Sequence, residues 1–176
     1  MMHRSHVILL VGPKGSGKTT LGGLLGRELG LIFLRVEPIY LRVLRDNPAV
    51  DPASLEPVGF GAILEEVNRS AELQPVVCIE STGAAGYFPE FLAQLQARHR
   101  VTLVRVSAPA ETCVARVRQR DSADHIPVSD DRVREINRVV EGISLPWDLE
   151  VDNSGERTVE EVAREIELAL AEARRS

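Results

Sequence analysis

A glycine-rich loop separates the first apolar run of the chain from its first helical pattern. The run His6–Val11 is short, continuous and rich in β-branched residues and leucine, which is typical of a strand buried on both faces. The loop reads GPKGSGKT, and from Lys18 leucines follow at helical spacing to about Leu29, where Gly30 ends the pattern. This order predicts a sheet whose helices cross back over its strands.

The rest of the chain repeats this alternation of apolar runs and helical patterns. The further runs are residues 31–36, 75–80, 100–106 and 147–151. Continuous apolar strands without polar alternation occur in parallel sheets that are covered on both faces. We therefore expect a three-layer α/β fold, with ligands outside the carboxyl ends of the strands. Residues 47–57 contain Asn, Asp and Pro and are predicted to be a loop, followed by a helix over residues 59–73.

Length and composition indicate one ordinary globular domain over residues 1–176, and they leave the oligomeric state open. The net charge of −5, without a basic tail, disfavours nucleic acid and acidic lipid as partners. No apolar stretch is long enough to cross a membrane, and no signal-cleavage pattern follows the first run. Cys78 and Cys113 lack the spacing of zinc sites and predict two buried thiols in a reducing compartment, so we expect a cytoplasmic protein.

The loop has the spacing of a phosphate-binding P-loop, between a strand and a helix as that motif requires. The candidate nucleotide-binding residues of this segment are Gly12, Pro13, Lys14, Gly15, Ser16, Gly17, Lys18, Thr19 and Thr20. Glycines let backbone amides turn towards phosphate, and the following helix adds its positive end. Lys18 is expected to reach the β- and γ-phosphates, and Thr19 to bind Mg²⁺. We expect ATP as the nucleotide, since no Asn-Lys-x-Asp guanine motif is present.

Two carboxylates stand at the ends of apolar runs, where the ligand is expected. Glu80 closes residues 75–80 and is interpreted as a Mg²⁺ ligand or a general base, with a structural ion pair as the alternative. Glu37 follows residues 31–36 and is a candidate base or acceptor contact, with a surface carboxylate before Pro38 as the alternative. Which of the two carboxylates acts as the base stays open.

On its P-loop, its length and this series of features, the chain resembles the shikimate, nucleotide and gluconate kinase group of small P-loop kinases. The resemblance covers essentially the whole chain. It implies a five-stranded parallel sheet in the order 2-3-1-4-5 with helices on both faces. It also implies a mobile lid, which would occupy about residues 117–130.

The resemblance also suggests roles for residues outside the P-loop. A lid arginine of the group stacks on adenine or touches the transferred phosphate, and Arg120 is the closest positional match, with Arg116 nearby as a nucleotide contact. The alternative is a solvated, arginine-rich helix end. Asn153, in the sequence DNSG, resembles a turn that borders adenine in related kinases, although the same letters also make a good turn.

The acceptor side departs from the shikimate pattern. Arg35 and Glu37 stand where the group carries an Asp-x-Asp pair, and Gly61 stands where it carries an arginine. The expected function is an ATP- and Mg²⁺-dependent kinase of a small metabolite, nucleoside or nucleotide, whose acceptor the sequence leaves unidentified. Arg35 beside Glu37 suggests an acceptor that carries negative charge. The alternatives are a nucleic-acid end kinase and a P-loop ATPase without a small acceptor.

Overall fold

The computed structural model describes residues 5–120 and 127–173. The strands are β1 (His6–Val11), β2 (Ile32–Leu34), β3 (Val76–Ser81), β4 (Arg100–Ser107) and β5 (Leu149–Asp152). The helices are α1 (Lys18–Leu29), α2 (Val36–Asp46), α3 (Pro52–Leu73), α4 (Phe88–Arg98), α5 (Ala110–Arg118), α6 (Asp130–Glu141) and α7 (Val159–Ala173). No helix within the described ranges is long and apolar enough to cross a membrane.

The five strands form one parallel sheet in the order β2-β3-β1-β4-β5, which confirms the expected fold. β1 lies at the centre, paired with β3 on one side and β4 on the other. From Val7 to Val11 its side chains are at most 1% exposed. A strand buried so completely needs apolar residues on both faces, which explains why His6–Val11 shows no alternation.

The two faces of β1 belong to two separate cores. Val7, Leu9 and Val11 pack with residues of α2, α3 and α4. Ile8 and Leu10, which point to the opposite face, pack with residues of α1 and α7. Side chains that alternate along a strand thus serve both covering layers, and the fold has the three layers that the sequence predicts.

The predicted loop at residues 47–57 is wrong in its second half, because α3 begins at Pro52 and continues through Pro57. Asp51 accepts hydrogen bonds from both Ser54 N and Ser54 Oγ, at 3.1 and 2.6 Å, as an N-terminal capping residue does. Proline is well tolerated at the first helical position, where an N–H has no partner. The sequence DPxS is therefore the start of a helix, although the prolines of this segment indicate a loop. Pro57 is exposed near the start of a helix of 22 residues.

Two other boundaries differ by a few residues from the prediction. β2 ends at Leu34 because Val36 already begins α2. β5 begins at Leu149, while Trp147 lies before it and packs against the core. Such shifts are common where helix ends and strand ends fray.

A buried histidine closes the end of the sheet away from the glycine loop. His99 is 6% exposed and follows α4. Its Nε2 lies 2.9 Å from Asn68 Oδ1, so Nε2 carries the proton and donates, while Nδ1 accepts from Ser5 Oγ at 2.6 Å. Burial lowers the pKa of His99 below its ordinary value of 6.5, and the positive charge of Arg98 lowers it further.

This burial predicts a loss of stability in acid. Because the folded pKa of His99 lies below the unfolded value of 6.5, the unfolded chain binds more protons between the two values. The free energy of unfolding should therefore decrease as the pH falls below about 6.5. Urea unfolding at about pH 5.5 and about pH 7.5 measures this, and His99→Gln is the control that should show a weaker pH dependence. An unchanged dependence in that variant would contradict the assignment to His99.

Candidate functional site

The glycine loop, residues 12–19, leaves several of its backbone amides without a hydrogen-bond partner among the described residues. Gly15 and Gly17 have φ values of 93° and 95°, which favour glycine, and Ser16 N closes a turn on Pro13 O at 3.1 Å. Within the described part of the chain, the amides of Gly15, Gly17, Lys18 and Thr19 donate no hydrogen bond. Unpaired amides of a glycine loop at a helix N-terminus are the groups that bind anions, and phosphate above all.

The three glycines of the loop are also required by contacts from behind it. A Cβ on Gly12 would lie 2.0 Å from Val106 O in β4, and one on Gly15 would lie 2.2 Å from Cys113 O in α5. A Cβ on Gly17 would lie 2.2 Å from Asn153 Nδ2. These distances are far below van der Waals contact, so the backbone behind the loop excludes a side chain at Gly12 and Gly15, and the buried Asn153 excludes one at Gly17.

Two asparagines fix the carbonyls of the loop. Asn153 Nδ2 donates to Ser16 O at 2.7 Å, and Arg116 Nη1 donates to Asn153 O at 3.0 Å. Asn137 in α6 accepts from Lys14 N at 2.7 Å and donates to Lys14 O at 3.0 Å. The structure thus brings Arg116 and Asn153 to the loop, with the Asn153 amide directed at the loop backbone. Asn137 was missed, although it is a polar residue between the apolar Val133 and Val140 at helical spacing.

Lys18 lies in the bend of the loop. Its Nζ donates to Gly12 O and to Pro13 O, both at 2.8 Å, and the residue is only 6% exposed. Burial lowers the pKa of Lys18 to about 8, Glu80 opposes that shift, and the positive charges of Arg120 and Lys14 add to it. An ammonium held in this way is electrostatically unsatisfied, so a phosphate beside it would raise its pKa and gain binding energy.

The hydroxyl of Thr19 donates to Glu80 Oε2 at 2.8 Å. Both oxygens are hard ligands of the kind that Mg²⁺ prefers, and this ion usually keeps one or two protein ligands, with phosphate and water completing its shell. Among the described residues no group of three or more His, Cys, Asp or Glu could hold a metal alone. Ser16 Oγ is buried without a hydrogen-bond partner in that part of the chain, and a phosphate oxygen could satisfy it. The residues therefore fit Mg²⁺ bound together with a nucleotide.

Glu37 is brought against the loop by an ion pair with Lys14. The Lys14 side chain is 11% exposed and that of Glu37 is 23% exposed, so water screens the pair only in part. Glu37 lies in the first turn of α2, where the helix dipole favours a carboxylate, and Arg35 stands at the N-cap of the same helix. Glu37 is thus not an isolated surface carboxylate.

Arg120 and Arg118 differ in their surroundings. Arg120 is half-buried, and its positive charge adds to the lowering of the Lys18 pKa that burial causes, so the two cations lie close enough to interact. Arg118 pairs instead with Asp130 at the start of α6. Of the predicted lid at 117–130, residues 121–126 lie outside the described residues. Thr20 is exposed on α1.

Comparison with known proteins gives the family. A model of AAA domains matches residues 7–143. The chain belongs to this AAA domain family. A segment of 82 residues, 46% of this chain, is 32% identical to Lon protease of Citrifermentans bemidjiense, and the match spans 10% of the length of that relative.

Several solved structures that are similar to this chain are kinases. Shikimate kinase from Aquifex aeolicus is 25% identical, with a TM-score of 0.64 over 94% of this chain and 96% of that one. A gluconokinase from Sinorhizobium meliloti is 17% identical, with a TM-score of 0.67 over 97% and 94%. Deoxyadenosine kinase from M. mycoides with bound dATP is 14% identical, with a TM-score of 0.63 over 94% and 99%. At the level of family and fold, these findings confirm the resemblance to the P-loop kinase group and the prediction of a P-loop kinase enzyme.

The contacts behind the loop predict that Gly15→Ala weakens nucleotide binding. The added methyl would meet Cys113 O at a positive φ, so the loop must move. We expect ATP affinity to fall about tenfold or more, measured by calorimetry, since strain of this kind is worth roughly 1 to 2 kcal/mol.

Gly23→Ala on α1 is the matched control. An added methyl there meets nothing within 4 Å. That variant should bind ATP normally and be equally stable or more stable by up to about 1 kcal/mol, because alanine is the better helix former. ATP affinity that is unchanged in Gly15→Ala would show that the packing behind the loop does not determine its shape.

Proposed function

We propose that this AAA domain is an ATP- and Mg²⁺-dependent phosphotransferase. It moves the γ-phosphoryl group of ATP to a hydroxyl or phosphate of a small metabolite, nucleoside or nucleotide. The observation that carries the proposal is that two carboxylates contact the glycine loop. Glu37 forms an ion pair with Lys14, and Glu80 accepts a hydrogen bond from the Thr19 hydroxyl. A site that only hydrolyses ATP has no need of the first carboxylate.

The donor half of the reaction uses the glycine loop. Its free amides and Lys18 hold the β- and γ-phosphates, and Ser16 Oγ gains a partner. Thr19 and Glu80 would hold Mg²⁺, which when bound neutralises charge on the phosphate oxygens. Arg116 supports the nucleotide side through Asn153, whose turn is proposed to border the base.

Transfer requires cations where charge develops. The transferred phosphoryl group passes through a loose transition state whose charge is spread over its outer oxygens. Lys18 is proposed to stabilise that charge from the loop. Arg120, which already shares the electrostatic environment of Lys18, is proposed to do so from the end of α5.

Glu37 is proposed as the residue that receives the acceptor. Its carboxylate takes the proton of the acceptor hydroxyl as the oxygen attacks the γ-phosphorus, and ADP leaves. Glu80 is better suited to the metal, because it already accepts from the Thr19 hydroxyl. Arg35, at the start of the same helix as Glu37, supports an acceptor with negative charge.

The proposal treats residues 1–176 as one working unit, with residues 117–130 as its lid. The ion pair between Arg118 and Asp130 joins the two ends of that segment. We place the protein in the cytoplasm. Cys78 and Cys113 are both free and buried, as suits a reducing compartment that also holds ATP.

Transfer of label from γ-labelled ATP tests the function. Pools of small metabolites, nucleosides and nucleotides are offered first, and single-stranded oligonucleotides afterwards. A labelled small molecule is the expected result. A labelled oligonucleotide alone would favour the nucleic-acid end kinase, and release of phosphate unaffected by any pool would favour an ATPase.

Lys18→Ala should abolish transfer while leaving the fold intact. The substitution removes the charge that meets the phosphates, and it removes no apolar packing from the two cores. Turnover and circular dichroism measure the two effects. Arg27→Ala, which deletes an exposed cation from the same helix, is the control and should turn over normally. Normal turnover by folded Lys18→Ala would refute the P-loop mechanism.

Shikimate should be a poor acceptor. A carboxylated polyol needs an arginine fork for its carboxylate, but Gly61 is exposed on α3, and a Cβ there would meet nothing within 4 Å. Each unpaired polar group costs about 1 to 3 kcal/mol. With Arg35 also replacing an aspartate, kcat/KM for shikimate should be roughly a hundredfold or more below that of the best acceptor in the screen. Efficient transfer to shikimate would contradict this interpretation.

A further inference from the structure

A residue of α6, far from the glycine loop in sequence, forms hydrogen bonds to the backbone of that loop. Asn137 is 2% exposed and shares the buried face of that helix with Val133 and Val140. Its carboxamide makes two hydrogen bonds to one residue 123 positions earlier: it accepts from Lys14 N at 2.7 Å and donates to Lys14 O at 3.0 Å. An apolar side chain at this position would suit the helix equally well.

A buried carboxamide is costly unless both of its groups are paired, and here both are paired with the loop backbone. The two bonds fix the orientation of the Lys14 backbone, because one binds its N–H and the other its C=O. They hold the Lys14 amide on Asn137 and so keep it apart from the unpaired amides of the loop. They also leave the Lys14 side chain in reach of Glu37, with which it pairs. Loss of the carboxamide would leave a donor and an acceptor of the loop without protein partners.

We propose that Asn137 is a positioning residue for the phosphate site: its carboxamide gives the glycine loop its nucleotide-ready shape before any ligand arrives. Through this contact α6, which follows the proposed lid, sets the affinity of the loop for polyphosphate. The inference rests on the proposed function in that ATP is taken as the ligand. If only a fraction of the molecules have the loop in its binding-competent shape, the apparent affinity for the ligand is reduced by that fraction.

The test compares Asn137→Leu and Asn137→Asp with wild type in the full-length protein. Leucine preserves bulk and removes both bonds, while aspartate keeps the acceptor for Lys14 N and loses the donor to Lys14 O. Val133→Ala is the matched control: it deletes packing one turn earlier on the same buried face and leaves the carboxamide in place. The measurements are affinity for MgATP and for inorganic tripolyphosphate, hydrogen exchange of the Lys14 amide, and thermal stability.

Both Asn137 variants should bind MgATP and tripolyphosphate about tenfold more weakly or worse, because the effect acts on phosphate recognition. In Asn137→Leu the Lys14 amide should also exchange faster. Val133→Ala should lose stability and keep its affinity and the protection of Lys14. If Asn137→Leu fails to fold, Asn137→Asp decides the question through the exchange of its Ser16 amide, which donates to Pro13 O in the ordered loop and should exchange faster in the variant.

Two results would overturn the inference. One is affinity in the Asn137 variants equal to that of wild type or of Val133→Ala. The other is full protection of the Lys14 amide in Asn137→Leu. Failure of the proposed function looks different: wild type would transfer label to no acceptor, whether or not it binds MgATP, while exchange at Lys14 would still report whether Asn137 holds the loop.

Discussion

The shape of the phosphate site depends on close contact between the glycine loop and the backbone behind it. Val106 O and Cys113 O each lie where a Cβ of Gly12 or Gly15 would stand. The sheet order creates the first of these contacts, because β4 pairs with β1 and Val11 is opposite Arg105, which makes the next residues neighbours. The glycine motif and the sheet topology therefore depend on each other. The glycines allow β4 and α5 to pack close to the loop, and this packing stabilises the conformation of the loop.

Electrostatics at the site oppose the overall charge of the protein. The chain carries a net charge of −5, yet cationic groups converge on the loop. Lys18 tolerates its burial because two carbonyls and Glu80 offset the lost hydration in part. Its lowered pKa shows that the offset is incomplete. A bound polyphosphate would complete it, so binding energy comes from a site that is strained electrostatically rather than sterically.

The sequence alone predicts those features of the fold and the site that are determined by residues adjacent in the chain. The strand, loop and helix around Lys18 followed from adjacent residues, and unbroken apolar runs identified a parallel sheet. The sequence does not reveal the start of α3, because proline disfavours helix interiors and several prolines lie there, although Asp51 caps that helix. Asn137 was missed for a different reason. Its partner Lys14 lies 123 positions away, and only tertiary packing brings the two together. The roles of the site residues in catalysis stay predictions.

One feature of the loop gives the molecule an unusual chemical selectivity. Lys14 and Lys18 are the only lysines in the sequence, whereas arginines occur throughout it. Every side-chain amine of the protein thus belongs to the glycine loop, and burial lowers the pKa of one of them, Lys18, to about 8. Acylation of lysine, by a reagent or by an acetyl donor, would therefore modify only this loop, at the partner of Glu37 and at the buried Lys18. The surface, built with arginine, would remain untouched.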